Sequence, residues 1–205
     1  CFLLKYFFTQ MKVCIVVLDS LTGNTVIAAE LIKRGITEHV GENAAVDVIS
    51  VRTKDGAAGS FDAGRIAVAE LLGFGTPTVC FNPMPGVMQW LSSVLPQECV
   101  ARKSFFTFAT YGTHPGVCAY AMAEALLQRN CACTHIGVHE VFTPDTYMWF
   151  LPRKGEPQMR WSSASVRACK AFGAHIAEAY STGTEPPRGQ LRPSLLARVL
   201  TALSP

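Results

Sequence analysis

The chain has 205 residues, which is enough for one well-buried domain and short for two. Apolar residues (A, V, I, L, M, F, W, Y and C) make up 49% of it and charged residues only 16%, where about 25% charged is usual. A surface so poor in charge favours contact with a partner, whereas a net charge of +3 without a basic run argues against nucleic-acid binding.

The eight cysteines do not indicate a disulfide framework. Four of them lie in apolar or helical contexts and are expected to be small core residues: Cys14, Cys80, Cys118 and Cys169. Cys131 and Cys133 lack the two-residue spacing of zinc or redox pairs and are interpreted as a reduced structural pair. This usage favours a reducing compartment, either the cytoplasm or the mitochondrion.

The first eleven residues form an apolar lead that is too short to span a bilayer. It is expected to be a docking segment or an extension of the first strand.

Residues 13–25 are predicted to be a buried strand that turns directly into a helix. Apolar residues run into Asp19, and a turn of hydroxyl, amide and glycine residues precedes an apolar stripe with helical spacing. The first N–H groups of a helix have no partner within it and attract anions. Ser20, Thr22, Asn24 and Thr25 add donors, and Gly23 allows the backbone to approach a ligand closely.

No Lys or Arg lies between Asp19 and Thr25. A nucleoside triphosphate is therefore disfavoured, because its binding loops carry a lysine, and a single phosphate monoester fits better. The alternative is a helix capped by Ser20 or Thr22 with no ligand.

Three stretches resemble the flavodoxins and flavodoxin-like flavoproteins. The turn 20–25 is similar to their FMN phosphate loop, and the resemblance extends to Gly75-Thr-Pro-Thr78 and Ala109-Thr-Tyr-Gly-Thr-His-Pro-Gly116, thus covering roughly 13–180. It implies an α/β fold with a flavodoxin-like, doubly wound, five-stranded parallel sheet and helices on both faces. It also implies FMN, held non-covalently, with these residues at its phosphate: Ser20, Leu21, Thr22, Gly23, Asn24 and Thr25.

Between the phosphate turn and the second stretch, the pattern predicts a helix over 25–39 and a strand over 45–50. A Gly-rich loop over 53–62 and a third strand over 67–74 follow.

Residues 75–86 follow the third strand, where open parallel sheets bind ligands. Prolines and glycines exclude a helix, Thr78 offers a hydroxyl to the edge of a planar ring, and Phe81 offers an apolar face. The alternative is a plain connecting loop. The resemblance makes it the first flavin-ring loop, with these residues at the cofactor: Thr76, Pro77, Thr78 and Val79.

After a core-facing helix over 87–95, a fourth strand is predicted over 104–109. By the resemblance its exit is the second ring loop, in which Tyr111 stacks on the flavin, and the cofactor residues are Thr110, Tyr111, Gly112, His114 and Gly116. His114 either donates to the flavin edge and compensates charge on the reduced ring, or caps the next helix or bonds a loop carbonyl.

A helix over 117–128 and a fifth strand over 134–142 follow. His135 and His139 are expected on one face of that strand, and without a third ligand they do not predict a metal site.

The segment 143–161 is rich in aromatic residues between prolines, including Tyr147, Trp149, Phe150 and Trp161. It is interpreted as a lid, a partner patch or packing against the domain. A closing helix is predicted over 162–180, with an inner face that includes Ala168. The chain thus divides into the lead 1–11, the domain 12–180, and a Pro-rich tail 181–205 with a short amphipathic helix that docks on a partner or a membrane surface.

Two hypotheses for function result. In the first, the protein binds FMN and transfers electrons to or from a redox partner protein, as a carrier or an FMN-dependent oxidoreductase. In the second, it is an accessory subunit of a larger redox complex, for example a membrane-bound mitochondrial one, using the lead, the segment 143–161 and the tail as contacts, with FMN retained or lost.

Overall fold

A computed structural model gives the structure, which describes residues 10–20, 22–53, 61–112, 114–129, 133–143 and 161–184, together with Arg198 and Ala202. Its elements, in chain order, are β1 (Met11–Leu18), α1 (Asn24–Val40), β2 (Ala44–Val51), α2 (Ala63–Val68), β3 (Leu71–Pro77), α3 (Pro85–Gln89), α4 (Gln97–Val100), β4 (Ser104–Tyr111), α5 (Cys118–Gln128), β5 (Thr134–Phe142) and α6 (Ser163–Thr182). A 3-10 turn over Gly41–Asn43 follows α1, and a π-helical turn over Trp90–Val94 continues α3.

The five strands form one parallel sheet in the order β2-β1-β3-β4-β5. Parallel strands need crossover connections, which place helices on both faces of the sheet. The fold class predicted from the sequence is therefore confirmed. The chain reverses its direction of winding between β1 and β3, and ligands of doubly wound sheets bind outside the carboxyl ends of the strands at this position.

Alternate residues of β1 enter two separate cores. Val13, Ile15 and Val17 pack on the face covered by α1 and α6, and Cys14, Val16 and Leu18 pack on the face covered by α2 to α5. A strand buried on both faces has no polar alternation. This explains the continuous apolar run that precedes the turn.

The predicted third strand, 67–74, is wrong at both ends. Residues 63–68 form α2, which begins where the Asp62 carboxylate accepts a hydrogen bond of 3.1 Å from the Arg65 N–H. Val68 belongs to this helix and is 64% exposed, so the apolar run joins two elements rather than one strand. Strand β3 begins at Leu71 and continues to Pro77, which places the first part of the predicted loop inside the sheet.

Side-chain burial corrects two further predictions. Cys80 is exposed in a tight turn and is not a core residue, whereas Cys14, Cys118 and Cys169 are buried. Burial raises the pKa of each of these three thiols to about 12, which leaves them protonated. Ala168 is exposed on α6, although the sequence pattern placed it on the inner face of that helix.

Several predictions lie outside the described residues: those for residues 1–9, Leu21, Cys131, the segment 144–160 with Tyr147, Trp149 and Phe150, and nearly all of the tail. Within the described ranges, no helix combines the length and apolar character needed to cross a bilayer.

Candidate functional site

The turn after β1 leads into α1, and no side chain in the described part of the chain caps this helix. Gly23 is the N-cap of α1 and has φ +80, a conformation that side chains disfavour. Because Gly23 occupies the cap position and has no side chain, the alternative in which Ser20 or Thr22 caps the helix is wrong. The backbone N–H groups of the first helical turn have no intrahelical acceptors, so this end of α1 favours an anion.

Ser20 supplies a buried hydroxyl beside this helix end. Its oxygen is shielded from solvent and has no hydrogen-bond partner among the described residues. A buried hydroxyl without a partner costs about 1–3 kcal/mol. Thr22 is exposed in the same turn. Ser20 therefore has the properties of a ligand-binding donor, and its position next to the uncapped helix end fits a phosphate oxygen.

Thr25 and Thr110 connect the predicted phosphate turn, 20–25, with the second predicted ring loop. Both residues are buried, with 1% and 3% exposure, and their hydroxyl oxygens lie 2.8 Å apart. The sequence assigned them to different parts of one cofactor. The structure brings them into direct contact at the carboxyl edge of the sheet.

Asp19 is a residue of this region that the sequence analysis left without a role. Its buried carboxylate accepts hydrogen bonds from the N–H of Thr53, at 2.8 Å, and from the hydroxyl of Thr53. Its own N–H donates to the carbonyl of Val51 at 3.0 Å. Asp19 therefore fixes the turn after β1 to the end of β2. The sequence signal that could have indicated this role was the position of an acidic residue directly after a buried strand.

The first predicted ring loop is shorter than expected because Gly75, Thr76 and Pro77 belong to β3. The Thr76 hydroxyl is buried without a partner among the described residues. Val79 and Asn82 then exchange backbone hydrogen bonds of 2.9 and 3.0 Å, which closes a tight turn over Cys80 and Phe81. Both turn residues have positive φ, 48° and 67°, although neither is glycine.

Such backbone conformations cost on the order of 1–2 kcal/mol per residue and occur preferentially at functional sites. Among the described residues, Asp19, Cys80, Phe81 and Arg102 are the non-glycines with positive φ. All but Arg102 follow the carboxyl ends of β1 or β3. The backbone strain is thus concentrated at the edge of the sheet where the sequence predicted the ligand.

The two predicted ring loops bind each other. Thr78 donates its N–H to the carbonyl of Thr110 at 2.8 Å, and the Val117 N–H donates to the carbonyl of Phe81 at 3.0 Å. Gly116 has φ +62, and a Cβ there would lie 2.0 Å from the Phe81 carbonyl oxygen. Only glycine therefore allows the loops to approach this closely.

Tyr111 and His114 occupy the second loop in different ways. Tyr111 is half-buried beside Phe142, with ring centroids 6.0 Å apart in an edge-to-face arrangement, and burial raises the pKa of its phenol. The Nδ1 atom of His114 accepts a hydrogen bond of 3.0 Å from the Gly116 N–H. Of the two predicted uses of His114, the structure thus shows a bond to the loop backbone, with a loop amide rather than a carbonyl as partner. The hydrogen of its neutral ring is on Nε2.

The prediction that His135 and His139 share a face of β5 is wrong. His135 packs on Phe105 and lies 3.3 Å from the Thr107 hydroxyl, whereas His139 stacks on Phe172 of α6, in the opposite core. The cause is a β-bulge between Phe105 and Phe106, which inserts one extra residue in β5 and reverses its alternation. Burial lowers the pKa of both histidines to about 4.

Glu140 is a half-buried carboxyl group on β5 that the sequence analysis did not single out. Its Oε1 atom has no partner among the described residues, and burial raises its pKa to about 7. Its charge also contributes to the raised pKa of Tyr111. An acidic residue in the middle of a predicted strand was the only signal in the sequence.

No protein-family model matches the sequence, and the search of curated proteins found no match. Solved structures do match. A flavodoxin from the domain Archaea is 22% identical and aligns with a TM-score of 0.56 over 82% of this chain and 99% of its own length. The chain has a flavodoxin-like fold.

Two further structures agree with this flavodoxin-like fold. A two-electron reduced flavodoxin of Megasphaera elsdenii is 21% identical, with a TM-score of 0.53 over 81% of this chain and 99% of its own. A WrbA-like flavodoxin of Agrobacterium tumefaciens is 17% identical, with a TM-score of 0.54 over 83% of this chain and 98% of its own. At these identities the likeness concerns the fold.

Proposed function

We propose that this flavodoxin-like domain binds FMN non-covalently and transfers electrons between redox partners. The observation that carries the proposal is the buried hydroxyl of Ser20, which has no partner among the described residues and lies beside the start of α1, where no described side chain caps the helix. A phosphate monoester would accept hydrogen bonds from both. The absence of Lys and Arg between Asp19 and Thr25 fits a single phosphate group, whose charge the helix end and neutral donors stabilise.

The phosphate would be held by the turn after β1. Ser20 and Thr22 offer hydroxyls, Asn24 offers its side-chain amide, and Leu21 and Gly23 would contribute backbone groups. Thr25 is already bonded to Thr110 and would connect the phosphate turn to the ring loop.

The ring would lie against the two bonded loops that follow β3 and β4. The residues proposed to hold it are Thr76, Pro77, Thr78, Val79, Thr110, Tyr111, Gly112, His114 and Gly116. Tyr111 offers an aromatic face, worth on the order of 0.5–1.5 kcal/mol beyond its burial when stacked. When bound, FMN supplies a redox-active ring that takes up and releases electrons, while the chain orients it and limits its contact with water.

The proposed electron partner is a protein that docks at the exposed end of this site. Phe142 is 50% exposed and contacts Tyr111, so it forms an apolar rim next to the proposed ring position. The prediction that the protein is a subunit of a larger complex rests largely on segments outside the described residues and stays a prediction.

The proposal is tested by identifying the chromophore of the purified protein. We expect a yellow protein with flavin absorption, and release of FMN on denaturation, identified by its mass. The apoprotein should bind added FMN more tightly than riboflavin, because only FMN carries the phosphate. The proposal is refuted if the protein contains no flavin and the refolded apoprotein binds neither compound.

A second measurement separates the phosphate turn from the rest of the site. Thr22→Val should weaken FMN binding and leave riboflavin binding unchanged, since Thr22 is exposed and serves no structural contact in the described part of the chain. Equal weakening of both ligands would place the Thr22 hydroxyl away from the phosphate.

A further inference from the structure

Trp161 reaches the phosphate turn from a distant part of the chain. Its indole Nε1–H donates a hydrogen bond of 3.2 Å to the side-chain oxygen of Asn24, which lies 137 positions earlier. Asn24 is the first residue of α1, directly after Gly23. The contact therefore joins the start of α6 to the end of α1 that is proposed to bind the phosphate.

The position of the indole is fixed by the residues around it. Trp161 packs against the core between the sheet and helices α1 and α6. The next residue, Ser162, is the N-cap of α6 and accepts a hydrogen bond of 3.0 Å from the Ser165 N–H. The Ser165 hydroxyl donates to the carbonyl of Phe142 at 2.9 Å, which fixes this helix end to β5.

The chemistry of this contact determines how the Asn24 amide is oriented. An indole N–H can only donate, so the partner atom on Asn24 must be its oxygen. The amide is planar, and its NH2 group is then directed away from Trp161. Because the indole occupies the amide oxygen, any hydrogen bond from Asn24 to an anion at this helix end would come from its NH2 group, as a donor.

We propose that Trp161 is a positioning residue of the phosphate site, which orients the Asn24 amide as a hydrogen-bond donor to the phosphate monoester of the ligand. This inference rests on the proposed function, because it takes the phosphate of FMN as the acceptor. Trp161 itself acts only through Asn24, and its role is to preset the orientation before the ligand binds.

The test is Trp161→Phe, which keeps an aromatic ring in the core and removes the indole N–H. We expect FMN to bind about five- to tenfold more weakly, the effect of one hydrogen bond to a charged group that is no longer oriented. Riboflavin affinity should change less than twofold. The matched control is Trp90→Phe, since the Trp90 indole is buried in the opposite core and its N–H has no partner among the described residues. It should leave the FMN-to-riboflavin affinity ratio unchanged.

A double-mutant cycle tests whether Trp161 acts through Asn24. In the Asn24→Ala background, Trp161→Phe should change FMN affinity less than twofold. A spectroscopic readout is independent of affinity: the indole N–H resonance that disappears in Trp161→Phe should shift when the wild-type apoprotein is titrated with FMN or inorganic phosphate, and not with riboflavin.

The outcomes are distinguishable. Failure of the wild-type apoprotein to bind FMN overturns the proposed function and this inference with it. If the wild type binds FMN, an affinity that Trp161→Phe leaves within twofold overturns only the role of Trp161. Equal losses for FMN and riboflavin, or additive losses in the double mutant, would do the same, because they indicate a structural effect.

Discussion

The substitution Ser20→Ala tests whether the Ser20 hydroxyl binds a ligand or stabilises the fold. Loss of a ligand-binding hydroxyl should weaken FMN binding without destabilising the apoprotein, whereas loss of a structural hydroxyl should destabilise it. The Ser20 oxygen is buried and has no partner among the described residues. Removing a buried polar group that makes no hydrogen bond eliminates a desolvation cost of about 1–3 kcal/mol. The apoprotein should therefore lose no stability, and a gain of about 1 kcal/mol in the free energy of unfolding is expected.

The same substitution should weaken the binding of FMN. A hydrogen bond to a charged group contributes about 1.5–3 kcal/mol, and each 1.4 kcal/mol corresponds to a factor of ten, so the dissociation constant should rise about ten- to a hundredfold. Riboflavin, which has no phosphate, should bind with nearly unchanged affinity.

Urea denaturation of the apoprotein measures the first effect, and titration of flavin fluorescence measures the second. Ser162→Ala is the control, and it should lower stability rather than raise it, because the Ser162 hydroxyl caps α6. Its removal should reduce the unfolding free energy by about 1 kcal/mol. The reasoning is refuted if Ser20→Ala destabilises the apoprotein as much as Ser162→Ala and leaves FMN affinity unchanged.

Three further variants test the strained loop and the buried titratable groups. Gly116→Ala should destabilise the protein by about 2–4 kcal/mol, and the control Gly183→Ala by about 1 kcal/mol. Both glycines have positive φ, but only at Gly116 would the added Cβ lie 2.0 Å from a backbone oxygen. Equal losses of unfolding free energy in urea denaturation would contradict this. Glu140 keeps its proton to about pH 7 when folded and to 4.5 when unfolded, so stability is lost as pH rises between these values. Glu140→Gln should remove that loss, which is roughly 1–2 kcal/mol at pH 8 because water screens this partly exposed carboxylate. An unchanged difference in unfolding free energy between pH 5 and pH 8 would refute it. His139 takes up its proton at 6.5 when unfolded and only near pH 4 when folded, so its stabilisation is lost as pH falls through this window. His139→Phe should flatten the fall in stability below pH 6.5, and denaturation at pH 7 and pH 4.5 measures it.

Local patterns were sufficient for most of the fold. The strand over 134–142 has the bounds predicted for it, and α1 ends before Gly41, where φ is +71. These elements have strong local signals, namely β-branched content and a glycine at the helix end. The third strand was misplaced because only one polar residue, Glu70, separates the apolar residues of α2 from the buried Leu71. Tertiary packing, rather than this weak local break, divides the stretch into a helix and a strand.

The positions of the loops that form the candidate site were predictable from the sequence, whereas the contacts between them were not. The sequence indicated the turn 20–25 because unpaired donors at a helix start have a local signature. The pairing of Thr25 with Thr110, and of Asn24 with Trp161, depends on how distant segments meet. The bulge in β5 had no sequence signal, and it alone decides that His135 and His139 face different cores.

The hydrogen bonds that join Thr78 to Thr110 and Phe81 to Val117 have a kinetic consequence. Backbone hydrogen bonds hold the two loops together before any ligand binds, so ligand binding does not have to bring them into contact. Binding of the flavin ring to these two loops should then need no slow rearrangement of them, and the rate of this step should be proportional to flavin concentration. Differences in affinity between variants of the site would then come mainly from the dissociation rate of the complex.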